Sequence, residues 1–110
     1  MVDPDPDGWL VHTNHFLVDP PSGTDTQPAQ APGTLARREL LASLVRSGVP
    51  ALEALASHVP AEQPVCRHGD PPGTPWAERR TTLLAVAIDP SGGKMRVAPG
   101  PPCSNGYARA

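Results

Sequence analysis

The apolar residues of this chain follow strand and helix patterns over a few short stretches. From Trp9 to Val18 they alternate with polar residues, which predicts a strand. One face of that strand would carry Leu10, His12 and Asn14. The residues that follow, 19–33, are rich in Pro, Ser, Thr and Gln, and this composition predicts an exposed loop.

Two helices are predicted in the middle of the chain. The first has Thr34 as its N-cap and ends at Gly48, because its leucines and Val45 gather on one side. The second has Pro50 in its first turn and is stopped by Pro60, and its apolar residues recur three and four positions apart. Helices this short leave an apolar stripe, so a sheet or further helices should lie beneath them.

The clearest β pattern is a hairpin near the C-terminus. A nearly continuous apolar run from Thr81 to Ile88 is followed by the turn sequence of residues 89–93 and an alternating stretch over 94–98. The continuous first strand is expected to be buried on both faces. Lys94 and Arg96 would leave one face of the second strand in water.

Composition limits the kind of protein that this sequence encodes. The 110 residues form one domain at most, and 16 prolines and ten glycines predict much loop, including a second loop over 61–78. A net charge of −2 is too small to indicate nucleic acid or an acidic membrane surface as a partner. No leader or bilayer-spanning run is evident, so the cytosol is expected, and Cys66 and Cys103 are interpreted as free thiols.

Two polar residues are candidates for a functional site. The carboxamide of Asn14 can donate to an oxygen that develops negative charge, as an oxyanion hole requires. The alternative is that Asn14 and Thr13 only satisfy backbone groups at a strand end. Arg67, within the run Cys66-Arg67-His68, could hold a carboxylate through its fork of donors, or it could be an ordinary surface arginine.

A metal site is considered for His12, His15, Cys66 and His68, because imidazole and thiolate are zinc ligands. The spacing argues against it, since His12 and His15 would point to opposite faces of a strand and no segment supplies more than two candidates. His58 is interpreted as a favourable charge at a helix C-terminus. The sequence therefore predicts no metal and no resident cofactor.

The run His12-Thr13-Asn14-His15-Phe16-Leu17 resembles a strand of the acyl-coenzyme A:6-aminopenicillanic acid acyltransferase family, the C45-type N-terminal nucleophile hydrolases. The resemblance implies an α+β fold that is the C-terminal half of a four-layer αββα domain, with about three strands and two helices. It assigns residues 1–103 to that half-domain and 104–110 to a tail. Further matching positions follow in the same order: Arg37, Leu41, Cys66-Arg67-His68, 82–89 and Gly100-Pro101-Pro102-Cys103.

The family cuts or exchanges amide bonds, and the resemblance implies roles for the two candidates. Asn14 would lie in the active site beside the nucleophile, and Arg67 would contact the nucleophile's surroundings. In the family the nucleophile is an N-terminal cysteine whose own α-amino group is the base. This sequence begins Met1-Val2, so the nucleophile is expected on a complementary N-terminal half, and the chain alone is expected to be inactive.

The implied substrate is a small-molecule amide or thioester, with acyl-coenzyme A as a substrate and not a cofactor. Cys66 or Cys103 paired with a histidine could also be a nucleophile, but nothing else in the sequence supports that arrangement. The alternative to an enzyme fragment is a non-catalytic remnant or a small interaction module, which would keep the helices and hairpin for packing or partner contact.

Overall fold

The fold is a mixed α+β arrangement, seen in a computed structural model that describes residues 3–17 and 23–110. The described residues of the first half form three helices: α1 (Gln27–Gln30), α2 (Gly33–Arg46) and α3 (Ala51–Ala54). The second half holds one turn of 3-10 helix (Trp76–Glu78) and three strands: β1 (Leu84–Asp89), β2 (Lys94–Pro99) and β3 (Ala108–Arg109). The predicted α+β class is confirmed. In the part of the chain that the structure describes, no helix is both long and apolar enough to cross a bilayer.

Helix α2 matches its prediction at the C-terminal end and differs at the N-terminal end. Gly48 adopts a φ of 91°, and the amides of Gly48 and Val49 donate to the carbonyls of Val45 and Leu44. This is a Schellman motif, which satisfies carbonyls that the helix end leaves without partners. The prediction that Thr34 is the N-cap is wrong, because Pro32 holds that position and Thr34 lies in the first turn.

The second predicted helix is much shorter than its pattern indicates. Helix α3 ends at Ala54 instead of continuing to Pro60. Beyond α3, the amide of Cys66 donates to the carbonyl of Ser57 over 2.8 Å. The Ser57 carbonyl therefore accepts a hydrogen bond from the following loop and not from a further helical turn. A sheet or further helices were expected beneath the helices, and the sheet has little direct contact with them. The helices pack around a small core of Leu41, Val45 and Ala54, which is covered by Val11, Leu44, Val49, Leu55 and Val65.

The predicted strand from Trp9 to Val18 is wrong over its described part, residues 9–17, which has no strand pairing; Val18 lies outside the described residues. Its backbone amides donate to side chains instead of to a neighbouring strand. The amide of Trp9 donates to the Asp5 carboxylate, that of Asn14 to the Thr34 hydroxyl and that of Phe16 to the Asp25 carboxylate. Of the predicted loop over 19–33, residues 19–22 are not described, and α1 forms within the rest.

The hairpin is confirmed. Strands β1 and β2 are antiparallel, in a register that runs from Leu84 opposite Pro99 to Asp89 opposite Lys94. In the turn, the Asp89 carboxylate accepts the amide hydrogen of Gly92 over 2.9 Å. The residues after β2 have no core pattern, yet they add β3, which pairs with β2 and completes a sheet of order β1-β2-β3.

The prediction that the first hairpin strand is buried on both faces is wrong. Leu84, Val86 and Ile88 share one face of β1, and all three are exposed. Met95, opposite Ile88 on β2, is exposed as well. The reason is that the helices and the sheet have little direct contact, so no described element covers this face. We call the exposed surface of Leu84, Val86, Ile88 and Met95 the apolar sheet face.

Candidate functional site

Thr34 fixes the polar run 13–15 from the first turn of α2. Its side chain is fully buried, and its hydroxyl donates to Thr13 Oγ1 over 3.0 Å. The same oxygen accepts the amide hydrogen of Asn14 over 3.0 Å, and Thr13 donates in return to the Thr34 carbonyl over 2.9 Å. A helix residue therefore holds a non-helical loop in place, 20 positions away in sequence.

His15 completes this network through its Nδ1 atom. Its Nδ1 lies 3.1 Å from Thr13 Oγ1 and 3.2 Å from Thr34 Oγ1. Both hydroxyl hydrogens are already used, one on Thr13 Oγ1 and one on the Thr34 carbonyl. Nδ1 thus contacts both hydroxyls and links the imidazole ring to the two threonines. The ring is buried and has a structural role.

The backbone of Asn14 is held, whereas its side chain is not. The residue is exposed, and within residues 3–17 and 23–110 its carboxamide makes no hydrogen bond. Its donor and acceptor are thus available to a ligand or to another chain segment. This is the arrangement that a positioned hydrogen-bond donor requires, since a fixed backbone reduces the cost of ordering the side chain when it binds.

Arg67 lies on the loop between the helices and the hairpin and is paired with Asp70. Its guanidinium is 2.8 Å from Asp70 Oδ1, while the other carboxylate oxygen accepts the Arg80 amide hydrogen. The hydrogen bond from the Arg80 backbone, followed by that from Arg67, lowers the pKa of Asp70 below its ordinary value. The backbone of Arg67 is fixed by hydrogen bonds to Thr82. The guanidinium is therefore oriented, but one side of its fork is already in use.

A second arginine, Arg37, adds positive charge near Arg67. Burial, followed by repulsion from Arg67, lowers the pKa of Arg37. Arg37 lies on α2 and donates to the Gln63 side chain over 3.4 Å. The resemblance included Arg37 but gave it no role, and sequence spacing could not show that a helix residue and a loop residue 30 positions later lie close enough to interact.

The two sequence-predicted site residues are not brought together. Arg67 lines an open surface cavity of about 410 Å³, together with His58, Cys66 and Asp70, and Asn14 is not part of that lining. Within the described ranges, no hydrogen bond or ion pair joins Asn14 to Arg67. They are connected only indirectly, through α2, which carries both Thr34 and Arg37.

A different group of residues does converge at a single point. The Nε2 atoms of His58 and His68 are 3.1 Å apart, and both face Cys103 Sγ, at 3.3 Å and 2.9 Å. Cys66 Sγ lies 3.5 Å from Cys103 Sγ, and neither cysteine is in a disulfide. The four ligand atoms lie within 4.8 Å of one another. We call these four residues the Cys/His cluster.

The cluster differs from the four residues that the sequence suggested for a metal. Cys66 and His68 belong to it, but His12 and His15 do not, and His58 and Cys103 take their places. The interpretation of His58 as a charge at a helix C-terminus is wrong, because α3 ends at Ala54. Cys103 could be placed here only by knowing the path of the hairpin, since it follows His68 by 35 residues.

The two thiols of the cluster have different surroundings. Cys66 is buried, and burial, with the neighbouring Cys103 thiol also contributing, raises the pKa of its thiol. Cys103 is exposed in the turn that follows β2. Two sulfurs and two imidazole nitrogens at this spacing can bind a soft or borderline cation, and a thiol next to imidazole can also be a nucleophile.

The chain matches no protein-family model, no curated protein and no solved structure. Its resemblance to the C45-type enzymes therefore depends on the residues quoted above, and its function has to be argued from geometry and chemistry.

Proposed function

We propose that this chain is the C-terminal half of an acyltransferase or amide hydrolase domain of the N-terminal nucleophile type, and that it contributes Asn14 to the oxyanion site. One observation carries the proposal: the buried Thr34 hydroxyl holds the Asn14 backbone at 3.0 Å while the Asn14 carboxamide stays exposed and unbonded among the described residues. An oxyanion site needs a hydrogen-bond donor, and the held backbone of Asn14 lowers the cost of ordering its free carboxamide when the charge develops. A residue that only satisfied a strand end would have its carboxamide in use.

The chemistry divides between the two halves of the domain. An N-terminal cysteine of the complementary half attacks the carbonyl carbon of the amide, and its α-amino group takes the thiol proton. The carbonyl oxygen becomes an oxyanion, to which the Asn14 carboxamide donates a hydrogen bond. Collapse of the intermediate expels the amine, which takes the proton, and leaves a thioester. Water or a second amine then attacks that thioester and restores the cysteine.

Arg67 has a secondary role in this proposal. Its guanidinium is oriented by Asp70 at 2.8 Å, and the charge of Arg37 reinforces the positive field around it. A carboxylate on the substrate, or on the complementary half, would be attracted to this pair of arginines. Arg67 is therefore proposed as a positioning residue and not as a residue that touches the reacting atoms.

The apolar sheet face supports the proposal that this chain is only part of a domain. Leu84, Val86 and Ile88 are exposed on an edge strand, an arrangement that folded proteins usually cover or interrupt with charge. In an αββα domain two sheets stack face to face, so a second sheet from the complementary half would bury these side chains. The same face also favours the second candidate function, a non-catalytic interaction module, which would bind a partner there without chemistry.

Co-expression tests the proposal and separates the two candidates. The chain is produced together with the protein encoded immediately upstream of Met1, and turnover of a chromogenic anilide and a chromogenic thioester is measured. The enzyme proposal expects a complex that turns over at least one of these probes. A stable complex with no turnover of either probe would favour the interaction module. An upstream region that encodes no polypeptide with a cysteine nucleophile would contradict the enzyme proposal.

A further inference from the structure

The Cys/His cluster has no role in the proposed amide chemistry, and it joins parts of the chain that otherwise have little contact. His58 follows α3, Cys66 and His68 lie on the connecting loop, and Cys103 lies in the turn after β2. The helices and the sheet make little direct contact. The cluster is thus a point at which the helical half of the chain meets the sheet.

We propose that His58, Cys66, His68 and Cys103 bind one Zn²⁺ ion. Typical Zn–N and Zn–S bonds of about 2.0–2.1 Å and 2.3 Å place tetrahedral ligand atoms roughly 3.3–3.8 Å apart. Four of the six separations in the cluster are 2.9, 3.1, 3.3 and 3.5 Å, and all ligand atoms lie within 4.8 Å of one another. Small side-chain movements are enough to reach a tetrahedral arrangement around an ion.

The orientation of the donors supports a cation more than a hydrogen-bond network. Both imidazole rings present Nε2, and not a ring carbon, to the same exposed sulfur, and their centroids are 5.1 Å apart. The contact between the two Nε2 atoms can hold at most one hydrogen when both rings are neutral. An ion at the centre would use both lone pairs and both sulfurs at once.

The donor set selects among metals. Two thiolates and two imidazoles suit Zn²⁺, whereas Mg²⁺ and Ca²⁺ prefer oxygen ligands. On binding, each thiol loses its proton to solvent and each histidine stays neutral, so the ion's charge is balanced by two thiolates. Four protein ligands leave no open position, which is typical of a structural zinc site and not of a catalytic one. The ion would cross-link the helical half and the sheet.

The test is metal binding by the reduced full chain under anaerobic conditions, which requires no enzymatic activity and is independent of the proposed function. Titration with Co²⁺ is expected to give the visible bands of a tetrahedral ion and the near-ultraviolet band of thiolate-to-cobalt charge transfer. One Co²⁺ should bind per chain, and Zn²⁺ should displace it. Zinc should also slow alkylation of both cysteines by iodoacetamide and raise the Tm of the chain.

Variants assign the ligands. Cys103→Ser and His68→Gln are expected to lose the tetrahedral spectrum, whereas His12→Gln, an exposed histidine outside the cluster, should keep it. His58→Cys keeps four ligands, so it should still bind Co²⁺ and strengthen the charge-transfer band. Retained Co²⁺ binding by His58→Cys would show that loss of binding in the other variants comes from the lost ligand and not from misfolding.

Three results would overturn the zinc site. The first is a reduced chain that binds no stoichiometric Co²⁺ or Zn²⁺. The second is binding that survives in Cys103→Ser. The third is a Cys103 thiol that iodoacetamide modifies at the same rate with and without zinc, which would favour a thiol nucleophile activated by histidine. If Cys66 and Cys103 form a disulfide in air and the chain binds no metal after reduction, the zinc site is likewise overturned.

Discussion

Thr34→Val removes the hydroxyl that joins α2 to the loop of Asn14, and we expect it to lower the free energy of unfolding by about 2–4 kcal/mol. The amide of Asn14 loses its acceptor in a partly buried position, and an unsatisfied donor there costs about 1–3 kcal/mol. Thr13 loses the hydrogen bond from Thr34, whose net value is about 0.5–1.5 kcal/mol. His15 Nδ1 still has Thr13 Oγ1 as a hydrogen-bond partner at 3.1 Å, so its contribution is largely kept.

Two further variants distinguish this network from ordinary helix capping. Thr34→Ser keeps the hydroxyl and loses one buried methyl group, which costs about 1 kcal/mol. Aspartate is among the best N-cap residues, so Thr34→Asp would be tolerated if Thr34 were a cap. In the buried network the carboxylate has no hydrogen to donate to Thr13, and it would be a buried charge. Thr34→Asp should therefore destabilise the chain at least as much as Thr34→Val.

Urea denaturation followed by circular dichroism gives the free energies, and hydrogen exchange of the Asn14 amide reports the local contact. Thr34→Val should lower both the unfolding free energy and the protection of that amide. The reasoning is refuted if Thr34→Val stays within about 0.5 kcal/mol of the wild type, because the hydroxyl would then contribute nothing. It is also refuted if Thr34→Asp is as stable as the wild type or more stable, because Thr34 would then be acting as a cap.

Two further predictions concern the surface. Ile88→Lys should change the unfolding free energy of the isolated chain by less than about 0.5 kcal/mol, because Ile88 is exposed. Ala98→Leu, at a fully buried position of β2, should lower it by about 1–3 kcal/mol. Equal losses of unfolding free energy in the two variants would show that the apolar sheet face is covered. The backbone hydrogen bond from Trp9, aided by Arg46, lowers the pKa of Asp5 in the folded chain. The unfolded state therefore binds the Asp5 proton more readily than the folded state does. The stabilisation that this carboxylate gives is present above the unfolded pKa and is lost as the pH falls through the folded pKa. Thermal melts from pH 6 to pH 3 should show a shallower decline in Asp5→Asn than in the wild type or the exposed control Asp3→Asn, and identical slopes would contradict this role of Asp5.

The hairpin and α2 could be predicted because short-range features determine them. The turn at residues 89–93 and Gly48 at the end of α2 act through the backbone of a few neighbouring residues. The segment 9–17 has an equally clear alternation, but its amides are taken by Asp5, Thr34 and Asp25. Distant side chains thus outweighed a local pattern. Strand β3 is only two residues long, and its pairing with β2 defines it.

The candidate site was predictable in its chemistry but not in its assembly. The unusual polarity of Asn14 can be recognised in the sequence, whereas the buried support from Thr34 depends on a contact across 20 positions. The Cys/His cluster has the same character: the residue types are evident, but the hairpin must first bring Cys103 to the loop of Cys66 and His68. Burial of the apolar sheet face was wrongly expected because the pattern of β1 does not say which polypeptide covers it.

The most direct test of the central claim is the turnover of Asn14→Ala in the enzyme assembled with its complementary half. A chromogenic anilide or thioester that the wild-type complex turns over is the probe, and Gln30→Ala, which removes an exposed carboxamide on α1, is the matched control. Asn14→Ala should lower kcat by about 10²-fold or more with little change in KM, because the hydrogen bond forms in the transition state. Gln30→Ala should leave kcat unchanged. Full turnover by Asn14→Ala in the intact complex would contradict the assignment of Asn14 to the oxyanion site.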